Sequence, residues 1–143
     1  MARAGFATKE RTAARFELLD VELLHSHEEI RPELLERVMQ EIKEDGYVKK
    51  PILVADKVYV ILDGHHRFEA LRRLGCRRVP AYVIDYFSEL VELTLWPTAK
   101  VKRVHKEDVV ERGRAGLLYT PKTTRHTLKI QLPDVFTDLE DLM

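Results

Sequence analysis

The chain reads as an α+β fold, a mixed β-sheet with flanking helices in a single compact domain, and three observations carry that reading. Short runs rich in β-branched and other apolar residues recur at 16–24, 52–55, 58–62 and 79–86. Between them lie segments whose apolar residues repeat at helical spacing, Leu34, Leu35, Val38 and Ile42 in one and Phe68, Leu71 and Leu74 in the other. No internal repeat or low-complexity linker divides the 143 residues, a length at which one domain buries roughly two thirds of its unfolded surface.

Residues 1–14 mix small, basic and hydroxyl side chains without periodicity, so a loosely held end is expected there and a folded domain over 15–143. Phe16, Leu18, Val21, Leu23 and Leu24 then make an apolar strand with a kink at Asp20, which runs into His25-Ser26-His27-Glu28-Glu29. Pro32 suits the first turn of a helix that Asp45-Gly46 ends. Pro51 opens a buried strand at 52–55, and Asp56-Lys57 links it to the next run, so the two are expected to form a hairpin. Val58, Val60 and Leu62 alternate with Tyr59 and Ile61 until Asp63-Gly64, where a helix starts at once and Gly75 supplies its C-terminal cap.

Pro80 places the strand at 79–86 on a sheet edge or confines the proline to its first residues. Val91, Leu93 and Leu95 alternate with Glu92, Thr94 and Trp96, which puts Trp96 on the outer, site-facing side. Val109 and Val110 sit among charges over 106–117, interrupted by Gly113 and Gly116, so a short helix and a loop are expected. Leu128, Ile130 and Leu132 form a last alternating strand, and an acidic amphipathic tail closes the chain.

Composition narrows the function. The 24 Lys+Arg balance the 24 Asp+Glu, so the basic excess of a protein that tracks a phosphate backbone is missing and no nucleic acid is expected as main partner. A single cysteine, Cys76, excludes a disulfide framework and any thiolate-rich zinc cluster within one chain, and fits a reducing cytoplasm. Neither an apolar run of signal-peptide length at the start nor a stretch long enough to cross a membrane occurs. Asparagine is absent and glutamine occurs only as Gln40 and Gln131, a bias shared with heat-loving proteins.

The turn Asp63-Gly64-His65-His66-Arg67 has a chemical use. The first amides of a helix lack intrahelical partners and carry partial positive charge, which holds a phosphate. Gly64 lets backbone approach an anion, Arg67 forks onto phosphate oxygens, and His65 and His66 offer further donors. Asp63 either faces a metal ion or substrate hydroxyl, or caps the helix. Glu28 in the His27-Glu28 pair is a candidate general base, against the plainer reading of an acid favoured by the following helix's dipole. The six histidines show neither HExxH nor a tight chelating loop, so no zinc site is predicted, while magnesium held by carboxylates and phosphate oxygens stays open. Thr123, Thr124, Arg125 and His126 concentrate donors suited to a carboxylate or phosphate.

The order of these parts, strand, His-Glu cluster, helix, Pro-led strand, strand, DGHHR turn and helix, resembles the ParB/sulfiredoxin superfamily over about residues 15 to 87. Three branches are set apart by particular positions. His65 stands where sulfiredoxins carry a catalytic cysteine, and Cys76 lies a helix away, which excludes that chemistry. The Gly64-His65-His66-Arg67 turn departs from the GERR-like turn of ParB partition proteins, and the 56 residues after Phe87 show no convincing helical module of the helix-turn-helix kind. Free serine kinases of archaea are matched more fully, by His27-Glu28, by Asp63 to Arg67, by the phrase Ile84-Asp85-Tyr86-Phe87-Ser88, by Trp96-Pro97 and by the YTPKTTRH stretch from Tyr119 to His126. One departure is that the long insert those kinases carry between tryptophan and PKTTRH is replaced here by a short segment.

That resemblance implies transfer of a nucleotide's terminal phosphoryl group, from ADP or ATP with Mg2+, to the hydroxyl of free L-serine. It implies Glu28 as general base and Asp63 as the group that positions the hydroxyl or the magnesium. Gly64, His65, His66 and Arg67 would bind the nucleotide phosphates, and Trp96, Thr123, Thr124, Arg125 and His126 the amino acid. A nucleotide-binding ParB-like regulatory or DNA-associated module without turnover is the alternative. A protein kinase is a second rival, and the missing glycine-rich loop and HRD and DFG motifs speak against it.

Overall fold

The computed structural model describes residues 13–143, so most of the stretch read as a loose N-terminus lies outside the described residues. Its last residue does not belong to a loose end: Ala14 is buried and opens strand β1, Ala14–Asp20. The strand stops where the kink was expected, and a 3-10 turn, Val21–Leu23, follows. Helix α1 is Pro32–Asp45, with Pro32 in its first turn and Gly46 at φ 77° closing it. Strands β2, Tyr47–Val48, and β3, Ile52–Ala55, come next, then β4, Ile61–Asp63, and helix α2, His65–Arg73. Strands β5, Arg78–Ile84, and β6, Val91–Leu95, precede helix α3, Lys106–Ala115. Strands β7, Thr124–Leu128, and β8, Thr137–Asp138, end the series.

The main sheet has the order β1-β5-β3-β4 and is mixed: β5 runs parallel to β3, while β1 and β4 are antiparallel to their neighbours. Alternation along each strand sends side chains to opposite faces. Ile52, Val54, Ile61, Val79, Ala81 and Val83 pack on one side with Leu35 and Ile42 of α1 and Phe68 and Leu71 of α2. Leu53, Ala55, Val60, Leu62, Tyr82 and Ile84 pack on the other with Val91 and Val109. A β6–β7 ribbon and α3 therefore cover the second face, and each fully buried Val, Leu or Ile contributes about 1.5–3 kcal/mol.

Three local expectations need correction, and a fourth is decided between its two alternatives. The hairpin between β3 and β4 is longer than a two-residue turn, because Tyr59 and Ile61 also bond the His25 backbone and Lys57 and Tyr59 adopt positive φ. Strand β5 is interior, so of the two readings of Pro80 the second holds: the proline sits among the strand's first residues, before pairing with β3 begins at Ala81. Gly113 does not break α3, for it lies buried where an added Cβ would come within 2.8 Å of Val60, and Gly116 alone ends the helix. The last ribbon strand starts at Thr124 and stops at Leu128, leaving Ile130 and Leu132 outside it.

The acidic tail is tied down. Strand β8 pairs with β2, Leu142 is fully buried, and its carbonyl accepts from the amides of Arg77 and Arg78 at 2.7 and 3.1 Å. No helix among the described residues is long and apolar enough to cross a membrane.

Candidate functional site

Strand β4 delivers Asp63 to the edge of a cleft, and the chain then reverses through Gly64 at φ 99°. Only glycine fits, because a Cβ there would lie 2.6 Å from Ile52 Cγ2 and 2.8 Å from Arg67 Nη2, quite apart from the left-handed backbone. Helix α2 starts without a side-chain cap, so Asp63 does not serve as one and the first-turn amides keep their capacity for an anion. Arg67 reaches back from the first turn. Its Nη2 makes one long contact, 3.4 Å, to the Pro51 carbonyl, and its buried Nε has no partner among the described residues. Burial pushes this guanidinium below its ordinary pKa while nearby Asp63 opposes the shift, so the site holds a desolvated cation in want of an anion.

Both histidines of the turn are held by the loop before α1. The His27 amide donates to His65 Nε2 at 3.3 Å, and the Arg31 amide donates to His66 Nε2 at 2.9 Å. Each ring therefore carries its proton on Nδ1. Burial, reinforced by the neighbouring His27 and His126, pushes His65 well below the usual range; burial and then the cations Lys122, Arg31 and Arg67 lower His66. Neutral rings act here as hydrogen-bonding groups rather than as charges.

Glu28 lies across from this turn. Its backbone forms a parallel bridge with Tyr119, which places the carboxylate under the 122–124 turn. There Oε1 accepts from the amides of Thr123 and Thr124 at 3.0 and 2.9 Å, and Oε2 from the Lys122 amide at 3.3 Å. Lys122 adopts φ 58°, the bend that aims these amides at one carboxylate. The turn is pinned from the Trp96 side, where the Trp96 amide donates to the Thr123 carbonyl at 3.0 Å and Thr98 Oγ1 to the Lys122 carbonyl at 2.8 Å. Arg125 and Lys122 hold their cations 4.7 and 5.3 Å from the centroid of the Trp96 ring.

Beneath the cleft lies a floor of neutral polar rings. His27 is fully buried and burial takes it from 6.5 to about 4; His126 falls to about 3 for the same reason, with His27 adding to it. The Tyr86 hydroxyl shares a hydrogen bond with His126 Nε2 at 2.7 Å, and burial holds that phenol protonated. The Leu62 backbone partly opposes the lowering of His126, and among the described residues its buried Nδ1 has no partner in full hydrogen-bond geometry.

These groups surround a cleft of about 450 Å3 lined by Glu28, Asp63, Gly64, His65, His66, Arg67, Trp96, Thr124, Arg125 and His126, with Leu34, Val38, Leu62, Lys122 and Thr127 beside them. Ten residues singled out in the sequence thus meet at one place. Thr123 does not line it: its side chain is buried and donates to the Thr120 carbonyl at 2.7 Å, so only its amide reaches Glu28. Leu34 and Val38 look like ordinary core positions by spacing, and nothing in the sequence marks them as cleft walls. A second hollow of about 440 Å3, walled by Pro51, Tyr82 and Leu132, shares Asp63, Arg67, His126 and Thr127 with the first. Among the described residues no group of three or more His, Cys, Asp or Glu is placed to cage a metal.

Comparison with known proteins gives this arrangement a context. The ParB N-terminal domain family matches residues 5–95. The chain is 42% identical to an ATP-dependent L-serine kinase of Staphylothermus marinus, over 67% of this chain and 40% of that protein. It is 33% identical to the ADP-dependent L-serine kinase SerK of Thermococcus kodakarensis, over 68% of this chain and 46% of the relative. The chain therefore spans less than half the length of these two curated relatives. A free serine kinase solved in complex with AMP superposes with a TM-score of 0.81 at 21% identity, covering 90% of this chain and 93% of the other, a likeness of fold. With its sheet, its strand-to-helix turn and most of its length matched, the chain belongs to the ParB N-terminal domain family.

Proposed function

We propose that this protein transfers the terminal phosphoryl group of ADP or ATP to the hydroxyl of free L-serine, giving O-phospho-L-serine. One observation carries the reading: a carboxylate immobilised by backbone amides shares a cleft with an uncapped helix N-terminus and a desolvated arginine that makes no ion pair among the described residues. Phosphoryl transfer asks for little more than in-line placement, neutralised charge and an acceptor for the hydroxyl proton. The names of the relatives, L-serine kinases using ATP in one case and ADP in the other, agree with that demand and leave the donor to be decided by assay.

In this reading the first-turn amides of α2, the Nδ1 proton of His66 and the Arg67 guanidinium bind the phosphates. His65, deeper in the floor, fixes the loop that carries Glu28 through its bond to His27. The second hollow, continuous with the first at Asp63 and Arg67, takes the nucleoside. Serine lies on the Trp96 side, its carboxylate facing the Arg125 fork, with Thr124 and His126 closing the inner wall. Glu28 accepts the serine hydroxyl proton on Oε2, the oxygen with the weaker contact, as the serine oxygen bonds to phosphorus and the bond to the nucleotide's bridging oxygen breaks.

Asp63 fits a magnesium ion of the kind held by one carboxylate and substrate phosphates: it is exposed at the end of β4 and makes no ion pair among the described residues. Such an ion, when bound, neutralises charge on the phosphates. We place the reaction in the cytoplasm of a heat-loving archaeon, in keeping with the lone reduced Cys76 and the lack of asparagine, and expect no nucleic-acid partner from the balanced charge.

Phosphorus NMR of the warm protein with magnesium, L-serine and either ADP or ATP tests the reading. Phosphoserine with AMP identifies ADP as donor, and phosphoserine with ADP identifies ATP. The family match favours one rival, a nucleotide-binding module without turnover, and stoichiometric nucleotide binding with no phosphoserine from either donor would establish it.

A further inference from the structure

Every polar atom of His27 is bonded to a different part of the site. Its amide donates to His65 at the start of α2, its carbonyl accepts from the Tyr119 amide at 2.8 Å, its Nδ1 meets the Ile61 carbonyl at 2.8 Å, and its Nε2 meets Thr124 Oγ1 at 2.8 Å. A carbonyl only accepts, so Nδ1 carries the proton, and in the buried neutral ring Nε2 has only a lone pair to offer. The Thr124 hydroxyl must then donate to His27. That hydroxyl has one proton and also faces Glu28 Oε1 at 3.2 Å, a longer approach than either amide makes to the same oxygen.

We infer that His27 is the positioning residue of this site: by taking the single hydroxyl proton of Thr124 it leaves Glu28 anchored through Oε1 to backbone amides alone, with Oε2 turned over to the substrate hydroxyl. The inference rests on the reading of Glu28 as the base. If the Thr124 proton went to Glu28 instead, the carboxylate would hold one more charge-assisted hydrogen bond in the ground state and would have to weaken it on taking up the substrate proton. The histidine prevents this by geometry, since its orientation is set from the opposite strand, β4.

Two measurements test the inference. In the free protein, 15N–1H correlation across the imidazoles at pH 7 is expected to show His27 neutral with its proton on Nδ1; a proton on Nε2, or an imidazolium, overturns the inference whatever the enzyme does. In steady-state phosphoserine formation, His27→Gln brings an amide oxygen to the place of Nε2 and is expected to keep kcat within about 5-fold of wild type. His27→Asn ends near Nδ1, cannot reach Thr124, and is expected to lose kcat about 30-fold, part of the 10²–10⁴ that a general base supplies, with both KM values within about 3-fold. Thr124→Val should match that loss, Thr124→Ser should not, and His27→Asn with Thr124→Val should be no worse than either alone.

Equal kcat in His27→Gln and His27→Asn, or a loss confined to KM, overturns the positioning role while phosphoserine from wild type upholds the kinase reading. Should His27→Asn fail to fold, equal kcat in the two Thr124 variants overturns it as well. No phosphoserine from wild type refutes the kinase reading and the role of His27 together.

Discussion

Acidification from pH 7 to pH 5 is a clean perturbation of this fold, because it reaches the buried histidines before most carboxylates. His27 and His126 have an ordinary value of 6.5 when unfolded and about 4 and 3 when folded, so between pH 7 and 5 the unfolded chain takes up protons that the folded chain refuses. The unfolded state binds more protons in that window, and stability therefore falls as pH falls. Each histidine loses about 1.4 kcal/mol per pH unit below 6.5, or about 2 kcal/mol by pH 5, and the two together about 4 kcal/mol. His65, also lowered, adds in the same direction. Asp56, lowered by Arg15, and Glu69, lowered by Arg72, lose their contributions mostly below this window. Set against a total of about 5–15 kcal/mol, such a loss is large. Urea unfolding followed by circular dichroism at pH 7, 6 and 5 reads it directly. A stability constant within about 1 kcal/mol over that range would show that the histidine floor admits protons, and would refute the burial argument.

Three further outcomes follow from single contacts. Glu28→Gln and Asp63→Asn are each expected to lower phosphoserine turnover by about 10²-fold or more while circular dichroism and melting stay near wild type; full activity in both would remove them from the chemistry. Gly64→Ala forces a Cβ into left-handed backbone and against Ile52, so urea unfolding should show a loss of roughly 2–4 kcal/mol, with weakened nucleotide binding in titration calorimetry. Gly113→Ala gains about 1 kcal/mol of helix propensity but crowds the fully buried Val60, and a net loss of about 1 kcal/mol is expected; a stabilised variant would mean that Val60 has room to move.

The parts of the fold that were legible in the sequence are those whose signal is hydrophobic period. Leu34 to Ile42 and Phe68 to Leu74 announce helices, and 52–55 announces a strand buried on both faces. Strand β7 escaped that reading at its beginning because the face it turns inward is Thr124 and His126, polar residues that line a cleft, so alternation of hydrophobicity appears only from Leu128 onward. Pro80 left two readings open for another reason: whether a proline is tolerated depends on where the neighbouring strand begins, and that register is a property of β3. Gly113 reads as a helix breaker by composition, yet tertiary packing against Val60 is what the glycine serves.

At the site the same division holds between what side chains declare and what backbone does. Asp63, Arg67 and Glu28 can be picked out because their chemistry belongs to their side chains, and Gly64 because a turn that admits no Cβ is written as glycine. The groups that hold Glu28 cannot, since the amides of Lys122, Thr123 and Thr124 have no residue identity and converge only because Lys122 bends to φ 58°. This is why Thr123 looked like a ligand for substrate when its hydroxyl is spent inside the turn on Thr120. It is also why the His27-Glu28 pair means more than a carboxylate beside a histidine: the two side chains point to opposite sides of one bridge, one into the floor to bond β4 and β7, the other under the 122–124 turn. In the proposed reading, a base fixed by backbone and by a neutral buried ring would need no neighbouring cation to hold it, which would leave the nearby desolvated cation, Arg67, available for phosphate.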